Sequence, residues 1–256
     1  MRHFSVKGEI RIEADADALC RAAASELAHL ANAAVQAKGT FTVALSGGST
    51  PRCLYSLLVE EATLRTAVPW GQTQVFWGDE RHVPPGHADS NYRMANEAML
   101  SRAPIPSTKV HRIKSELPNA SHAANEYEQT LRNCFHLASG QLPRFDLVLL
   151  GMGPDGHTAS LFPGTAALQE RRRLVVANWV EKFASYRITL TLPVLNNAAC
   201  VIFLVSGEEK AQTLLAVLAE EAPSAPLPAR LIRPTQGRLI WLVDRAAARL
   251  LSTYLK

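Results

Sequence analysis

The chain has 256 residues, of which 47% are hydrophobic and 20% are charged, and its formal net charge is +4. This composition is typical of a folded globular protein and excludes a disordered or fibrous one. The small excess of 27 basic over 23 acidic residues is not clustered into the basic stripe of a nucleic-acid-binding protein. We therefore expect a single domain, residues 1–256, with no nucleic-acid partner.

The cysteines and the hydropathy pattern limit the class of protein further. The four cysteines are far apart and form no CxxC pair, which argues against a disulfide framework or a zinc site. The N-terminus lacks an apolar signal core, and no apolar stretch is long enough to span a membrane. The sequence thus predicts a cytoplasmic protein with no metal, no cofactor, no membrane association and no obligate protein partner.

Hydrophobic periodicity and capping residues predict helices that alternate with strands. A helix over 15–37 ends before Gly39 and is followed by a strand over 41–45. The next helix is expected to start at Pro51, with Thr50 as its N-cap, and to end near Glu61. Further strands are predicted at 74–77, 109–113, 145–150, 174–178, 187–192, 200–205 and 239–243. Further helices are predicted at 91–102, at 121–136 with Ser121 as cap, at 207–218, and after Asp244, with loops at 78–91 and 221–237.

This order of elements predicts an α/β fold. Strands separated by helices favour a mainly parallel sheet with right-handed crossovers. The consecutive strands 174–178 and 187–192 lack a helix between them. They indicate a small antiparallel annex beside the main sheet.

The most informative loop follows the apolar strand that ends at Leu150. Its glycines, Gly151, Gly153 and Gly156, permit close approach of the backbone to a ligand. His157 is the side chain best suited to move protons near neutral pH, and Asp155 lies two residues before it. Because ligands of open α/β sheets bind at the carboxyl ends of strands, the sequence predicts a catalytic pair here.

A second loop, residues 46–51, has the sequence SGGSTP at the start of a helix. Backbone N–H groups of Gly47, Gly48, Ser49 and Thr50 are suited to bind an anion at a helix N-terminus. The loop lacks the GK[ST] ending of a Walker motif and is not GxGxxG. We expect it to bind phosphate and not a dinucleotide.

Cationic side chains accompany these loops. Arg81 follows a strand within the segment Asp79 to His82 and can bind phosphate through two N–H groups, whereas Glu80 and His82 are interpreted as structural. Arg187 heads a β-branched strand. Lys210 lies in a first helical turn, where a cation is unfavourable, so that an anion ligand and a solvated side chain remain equal alternatives for it.

Together these groups indicate a general base that activates water or a substrate proton on a phosphorylated small molecule. The sequence contains no GxSxG nucleophile elbow. No cysteine lies in a recognisable nucleophile motif.

Six segments form an ordered set along nearly the whole chain: ALSGGSTP (44–51), GDERHVP (78–84), SNY (90–92), LGMGPDGHTASLFP (150–163), RITLTLP (187–193) and GEEK (207–210). This set resembles the glucosamine-6-phosphate isomerase/6-phosphogluconolactonase family, and within it the lactonase branch. The resemblance implies a three-layer α/β/α fold with a Rossmann-like sheet and no dinucleotide. It also implies hydrolysis of 6-phospho-D-glucono-1,5-lactone in the oxidative pentose phosphate pathway.

The resemblance also implies roles for individual residues. His157 matches the catalytic histidine of the family, and Asp155 would orient it. Gly47 and Gly48 would line the sugar. The implied phosphate ligands are Arg81, Arg187 and Lys210, assisted by Ser49 and Thr50, and Asp79 is implied to lie in the same pocket.

Two alternatives remain at this stage. The first is a sugar-phosphate isomerase/deaminase, whose branch resembles Asp-Gly-His followed five residues later by a glutamate. Phe162 occupies that position here and cannot carry a proton. The second is a non-catalytic sugar-phosphate sensor, against which the retention of Asp155, His157 and Arg187 argues.

Overall fold

The computed structural model describes residues 8–219 and 227–251. A six-stranded sheet has all of its neighbouring strands parallel, in the order β1-β9-β8-β5-β2-β3. Its strands, in chain order, are β1 Glu9–Glu13, β2 Phe41–Leu45, β3 Thr73–Trp77, β5 Leu147–Leu150, β8 Cys200–Val205 and β9 Arg238–Asp244. A smaller antiparallel sheet has the order β4-β7-β6 and consists of β4 Asp79–Arg81, β6 Val175–Val180 and β7 Ser185–Leu190.

Helices flank the main sheet. They are α1 Ala16–Lys38, α2 Ser49–Glu60, α3 Ala62–Ala67, α4 Asn91–Ala95, α5 Ala120–Cys134, α6 Leu192–Asn196, α7 Ala211–Leu218 and α8 Arg245–Ala248. Every residue of β2, β5 and β8 is buried, as expected for central strands of a parallel sheet that is covered on both faces. The predicted α/β class, with its parallel sheet and antiparallel annex, is confirmed.

Three helix ends show how far capping rules hold. Asp15 and Asp244 cap α1 and α8 through hydrogen bonds from Ala18 N and Ala247 N. The predicted cap at Ser121 is wrong, because the side chain of Asn119 accepts the N–H groups of Ser121 and His122. The better acceptor lies two residues further upstream.

The predicted start of α2 is also wrong. The helix begins at Ser49, its N-cap is Gly48 with φ 111°, and no side chain caps it. Thr50 and Pro51 therefore lie inside the first turn. The first N–H groups of α2 are left without a side-chain acceptor, which matters for the site described below.

Several other boundaries differ from the prediction. Residues 78–91 were expected to be a loop, but Asp79–Arg81 form β4 because β7 offers a pairing edge. No strand forms at 109–113, where Val110 makes only an isolated bridge to Val75. The edge strand β1 was not predicted, and residues 96–100 of the predicted helix 91–102 form a π-helix.

Other differences concern short turns and undescribed residues. Residues 208–210 of the predicted helix 207–218 form a 3₁₀ turn that leads into α7. Residues 220–226, which include the first six residues of the predicted loop 221–237, lie outside the described residues. Within the described part of the chain, no helix has the length and apolar character needed to cross a membrane.

Candidate active site

The carboxyl ends of β2, β3, β5 and β8 meet at one edge of the main sheet. A cavity of about 320 Å³ opens there. The predicted site residues that line it are Gly47, Gly48, Ser49, Thr50, Asp79, Arg81, His157 and Lys210. Asp155 and Arg187 are the two predicted site residues that do not line it, and each lies against a residue that does.

His157 and Asp155 are in direct contact. The Nδ1 atom of His157 lies 2.5 Å from Oδ1 of Asp155, and the backbone N–H of His157 donates to the same oxygen at 3.2 Å. Because the carboxylate accepts the Nδ1 hydrogen, the neutral imidazole retains Nε2 as its proton acceptor. The sequence did not decide whether this hydrogen bond forms, since residues two apart in a turn need not be in contact.

The carboxylate of Asp155 is held in its charged form. Burial by itself would raise its pKa, but the hydrogen bonds and charge of His157, with a hydrogen bond from Lys182, hold the pKa below its usual value. Lys182 Nζ lies 3.3 Å from the second carboxylate oxygen. Both oxygens of Asp155 therefore have partners that favour the anion.

The glycine loop makes this arrangement possible. A Cβ atom on Gly153 would overlap Nδ1 of His157, so only glycine leaves room for the imidazole at this position. The N–H of Gly153 donates to the carbonyl of His157 at 2.9 Å, and Gly156 adopts φ 74°. The loop is therefore a closed turn that folds the imidazole back over its own glycine.

The ring of Phe162 packs against a face of the His157 imidazole. The two rings are stacked, with centroids 4.2 Å apart and an interplanar angle of 23°. Phe183 packs edge-on against Phe162 at 5.8 Å. The imidazole is thus held by a carboxylate at one nitrogen and by an aromatic ring at its face.

The N-terminus of α2 forms an anion-binding surface. Gly48, Ser49 and Thr50 line the cavity at the uncapped end of the helix, where free N–H groups favour a negative ligand. Ser46 also lines the cavity and is 4% exposed, yet its hydroxyl has no hydrogen-bond partner among the described residues. Buried polar atoms are almost always paired, so this hydroxyl is an unused hydrogen-bonding group at the cavity wall.

Two arginines of the small sheet lie near this surface. Arg81 on β4 is directly opposite Arg187 on β7. Burial lowers the pKa of Arg187, and the positive charge of Arg81 lowers it further. The Nε atom of Arg187 is buried without a partner. A pair of adjacent cations with an unused donor favours binding of an anion.

Lys210 supplies a third cation. Its side chain lies on the cavity wall, largely buried, and its nearest carboxylate oxygen, on Glu209, is 3.9 Å away. Among the residues the structure describes, no three His, Cys, Asp or Glu side chains converge to hold a metal ion.

Glu80 serves the structure of the loop beside the cavity, as the sequence analysis predicted. It is 1% exposed and accepts hydrogen bonds from the N–H groups of Asn91 at 2.7 Å and Tyr92 at 2.8 Å. It also accepts from the hydroxyl of Ser90 at 3.0 Å. Burial raises the pKa of Glu80, while these backbone N–H groups oppose the rise.

Asn91 is the residue of the site to which sequence reasoning gave no role. It lines the cavity, and its side-chain amide donates to the carbonyl of Asp79 at 2.9 Å. A Cβ on Gly47 would overlap the amide oxygen of Asn91. Asp79 in turn accepts the hydroxyl of Ser160 at 2.5 Å. The conspicuous triplet Ser90-Asn91-Tyr92 was the available signal.

The fold and the cavity combine a parallel α/β sheet with a histidine–carboxylate pair and an uncapped helix N-terminus at the carboxyl ends of the strands. The family model of glucosamine-6-phosphate isomerases/6-phosphogluconolactonase matches residues 14–241, and the chain belongs to this family.

Curated relatives place the chain on one branch of the family. It is 47% identical to the 6-phosphogluconolactonase of Nostoc sp. (strain PCC 7120), over 86% of this chain and 88% of the relative. It is 44% identical to the 6-phosphogluconolactonase of Homo sapiens, over 84% of this chain and 83% of the relative. The predicted resemblance to the lactonase branch is confirmed.

Solved structures agree with this placement. The 6-phosphogluconolactonase from Trypanosoma brucei superposes with a TM-score of 0.85 at 32% identity, covering 97% of this chain and 100% of the other. A monomeric glucosamine-6-phosphate deaminase superposes with a TM-score of 0.77 at 19% identity, covering 94% and 99%. At that identity the likeness shows the fold alone, so the fold does not distinguish the two branches.

Proposed function

We propose that this chain hydrolyses 6-phospho-D-glucono-1,5-lactone to 6-phospho-D-gluconate, a step of the oxidative pentose phosphate pathway. The observation that carries the proposal is the hydrogen-bonded pair of His157 and Asp155 inside a cavity that also holds an uncapped helix N-terminus. The names of the curated relatives support the same reaction.

His157 acts as the general base. Its Nε2 takes a proton from a water molecule while the water oxygen attacks the lactone carbonyl carbon. The carbonyl oxygen becomes an oxyanion in the tetrahedral intermediate. When the intermediate collapses, the bond to the ring oxygen breaks, and the imidazolium returns its proton to that oxygen. Asp155 keeps the hydrogen on Nδ1 and stabilises the transient imidazolium.

The remaining residues of the cavity hold the substrate. Arg81, Arg187 and Lys210 bind the phosphate, with Ser49 and Thr50 assisting from the start of α2. Gly47 and Gly48 line the sugar, and their N–H groups are suited to receive the oxyanion. Asp79, fixed by Ser160 and Asn91, presents a carboxylate to the sugar hydroxyls.

Phe162 favours this reaction over ring opening and deamination of an amino sugar phosphate. Its ring occupies the face of His157, at the position where the isomerase/deaminase branch carries a glutamate. A phenyl ring cannot transfer the proton that an aldose–ketose conversion requires. Attack of water on a lactone needs only the one base.

The proposal extends to the whole chain and its location. One cluster of buried residues includes side chains of both sheets, which supports a single domain over residues 1–256. A cytoplasmic location, and function without an obligate protein partner, remain predictions from the sequence.

The deciding experiment follows the decay of the lactone. 6-Phosphogluconolactone is generated in situ with glucose-6-phosphate dehydrogenase, and its disappearance is compared with and without the protein. His157→Ala is expected to lower kcat by about 10²–10⁴-fold without unfolding the protein. The matched control is His29→Ala, which removes an exposed histidine of α1.

Each alternative gives a different result in this experiment. If the wild-type protein does not accelerate lactone decay but releases ammonia from glucosamine 6-phosphate, it is a deaminase. If it binds sugar phosphates and turns over neither substrate, it is a sensor. If His157→Ala retains wild-type turnover, the lactonase reaction stands and the assignment of the base is wrong.

A further inference from the structure

Lys182 lies outside every segment that carried the family resemblance. It is in the turn that joins β6 to β7, where residues 181–183 form a single 3₁₀ turn. Ala184 follows in a left-handed conformation with φ 43°, and the strands resume pairing at Val180 and Ser185. The turn is therefore short and closely defined, and it presents Lys182 at the tip of the small sheet.

This tip contacts Asp155 directly and supports His157 through Phe162. Lys182 Nζ lies 3.3 Å from Oδ2 of Asp155, while Oδ1 of the same carboxylate holds His157. The neighbouring Phe183 packs against Phe162, which stacks on the imidazole. One turn of the small sheet thus supports both the carboxylate and the ring that position the base.

From this geometry we infer that Lys182 is a positioning residue of the lactonase reaction: its ammonium group fixes the orientation of Asp155 and disfavours the protonated state of His157 before water is activated. The inference rests on the proposed function, because it assigns a partner to the proposed base. Lys182 itself does not line the cavity and acts through Asp155.

Other charged groups also surround the imidazole. Asp155 faces it from its own loop, and Lys182 lies behind Asp155. The remaining charged groups at the cavity and its edge are Asp79, Arg81, Arg187, Glu209 and Lys210. Substitution of Lys182 changes none of these, so a change in protonation behaviour reports on the one ammonium group.

The ion pair of Lys182 and Asp155 affects the site and not the stability of the fold. The Lys182 side chain is 56% exposed, and ion pairs that exposed contribute little to stability. Loss of the cation makes a proton on His157 more favourable, so the base becomes available only at higher pH. The acidic limb of the rate–pH profile should therefore move to higher pH.

The test compares Lys182→Gln with the wild-type protein in two assays. In the lactone assay, corrected for spontaneous hydrolysis, the acidic limb of the plot of kcat against pH is expected to move to higher pH by about 0.4 unit, with KM unchanged. In an NMR titration of the free protein, the imidazole resonances of His157 are expected to show the same upward shift in midpoint. Lys182→Arg is expected to restore the wild-type profile.

Lys114→Gln is the matched control. Lys114 is also exposed, at 57%, and pairs with Glu126 at 2.9 Å, but neither residue lines the cavity. Equal shifts in the two variants, or no shift at Lys182→Gln, would overturn the inference. A change confined to KM would also overturn it and make Lys182 a substrate ligand. The NMR arm stays informative if the wild-type protein proves to hydrolyse no lactone, so failure of the function and failure of the inference are distinguishable.

Discussion

Gly153→Ala is expected to inactivate the enzyme by moving one side chain. The new Cβ would overlap Nδ1 of His157, and it would also lie 2.8 Å from Oδ1 of Asp155. To restore an ordinary contact the imidazole must move by about 1.4 Å, and a misplacement of about 1 Å already costs about 10²-fold in rate when the group is a catalytic base. We therefore expect kcat to fall about 10²-fold or more.

The structure also predicts that this variant folds. Gly153 has no left-handed φ that alanine would strain, and the imidazole is 24% exposed, so that it can be displaced toward solvent without disturbing the core. The assay is lactone decay at saturating substrate, with thermal unfolding measured in parallel.

Gly151→Ala provides the matched comparison within the same loop. A Cβ there meets no atom within 4 Å, so we expect kcat to stay within about threefold of wild type, since the ring keeps its geometry. If Gly153→Ala retains wild-type kcat, the imidazole position is not what the glycine protects. If both variants lose activity equally, the loop backbone and not ring displacement is responsible.

Three further predictions follow from individual contacts. Arg187→Ala should raise KM by about 10- to 100-fold, because a charge-assisted hydrogen bond to phosphate is lost. The kcat at saturating substrate should stay near wild type, and a loss of kcat at unchanged KM would contradict this role. Glu80→Gln should lower the free energy of unfolding in urea by about 1–3 kcal/mol, because an amide NH₂ cannot accept the N–H groups that Glu80 binds; an unchanged urea midpoint would refute it. Asp155→Asn should lower kcat by about 10²–10⁴-fold through loss of the imidazole tautomer. Because the folded-state pKa of Asp155 is lowered, its carboxylate contributes stability above its usual pKa of 3.8 that is lost as the pH falls through the folded-state value. The difference in unfolding free energy between wild type and Asp155→Asn should therefore shrink in acid, and a difference that grows in acid would contradict the sign.

Much of the fold was predictable because its main sheet is buried on both faces. The apolar runs of β2, β5 and β8 mark central parallel strands without ambiguity. The strands β1 and β4 were missed for the opposite reason. β1 alternates charged residues with isoleucines, and β4 consists of three charged residues. Each strand forms because a neighbouring strand offers an edge. Local pattern contains no information about such a partner.

The candidate site was predictable to the level of residue type. Strand ends and glycine-rich loops predicted that His157 and Arg81 would meet at one edge of the sheet, and the family resemblance added Lys210. The three line one cavity. Asn91 was missed because its contact with Gly47 and Asp79 joins separate loops. A pattern read along the chain does not show which loops touch.

The sequence by itself determined the class of fold, the family and the residue types of the site, since these follow from periodicity, turn chemistry and ordered motifs. Only the tertiary structure decided which atoms meet. The 2.5 Å contact of His157 with Asp155 and the ring of Phe162 on the imidazole are made within one loop. The ammonium of Lys182 behind the carboxylate depends on how a turn of the small sheet packs against that loop. A contact between residues far apart in the chain is set by tertiary packing, which short-range preferences do not specify.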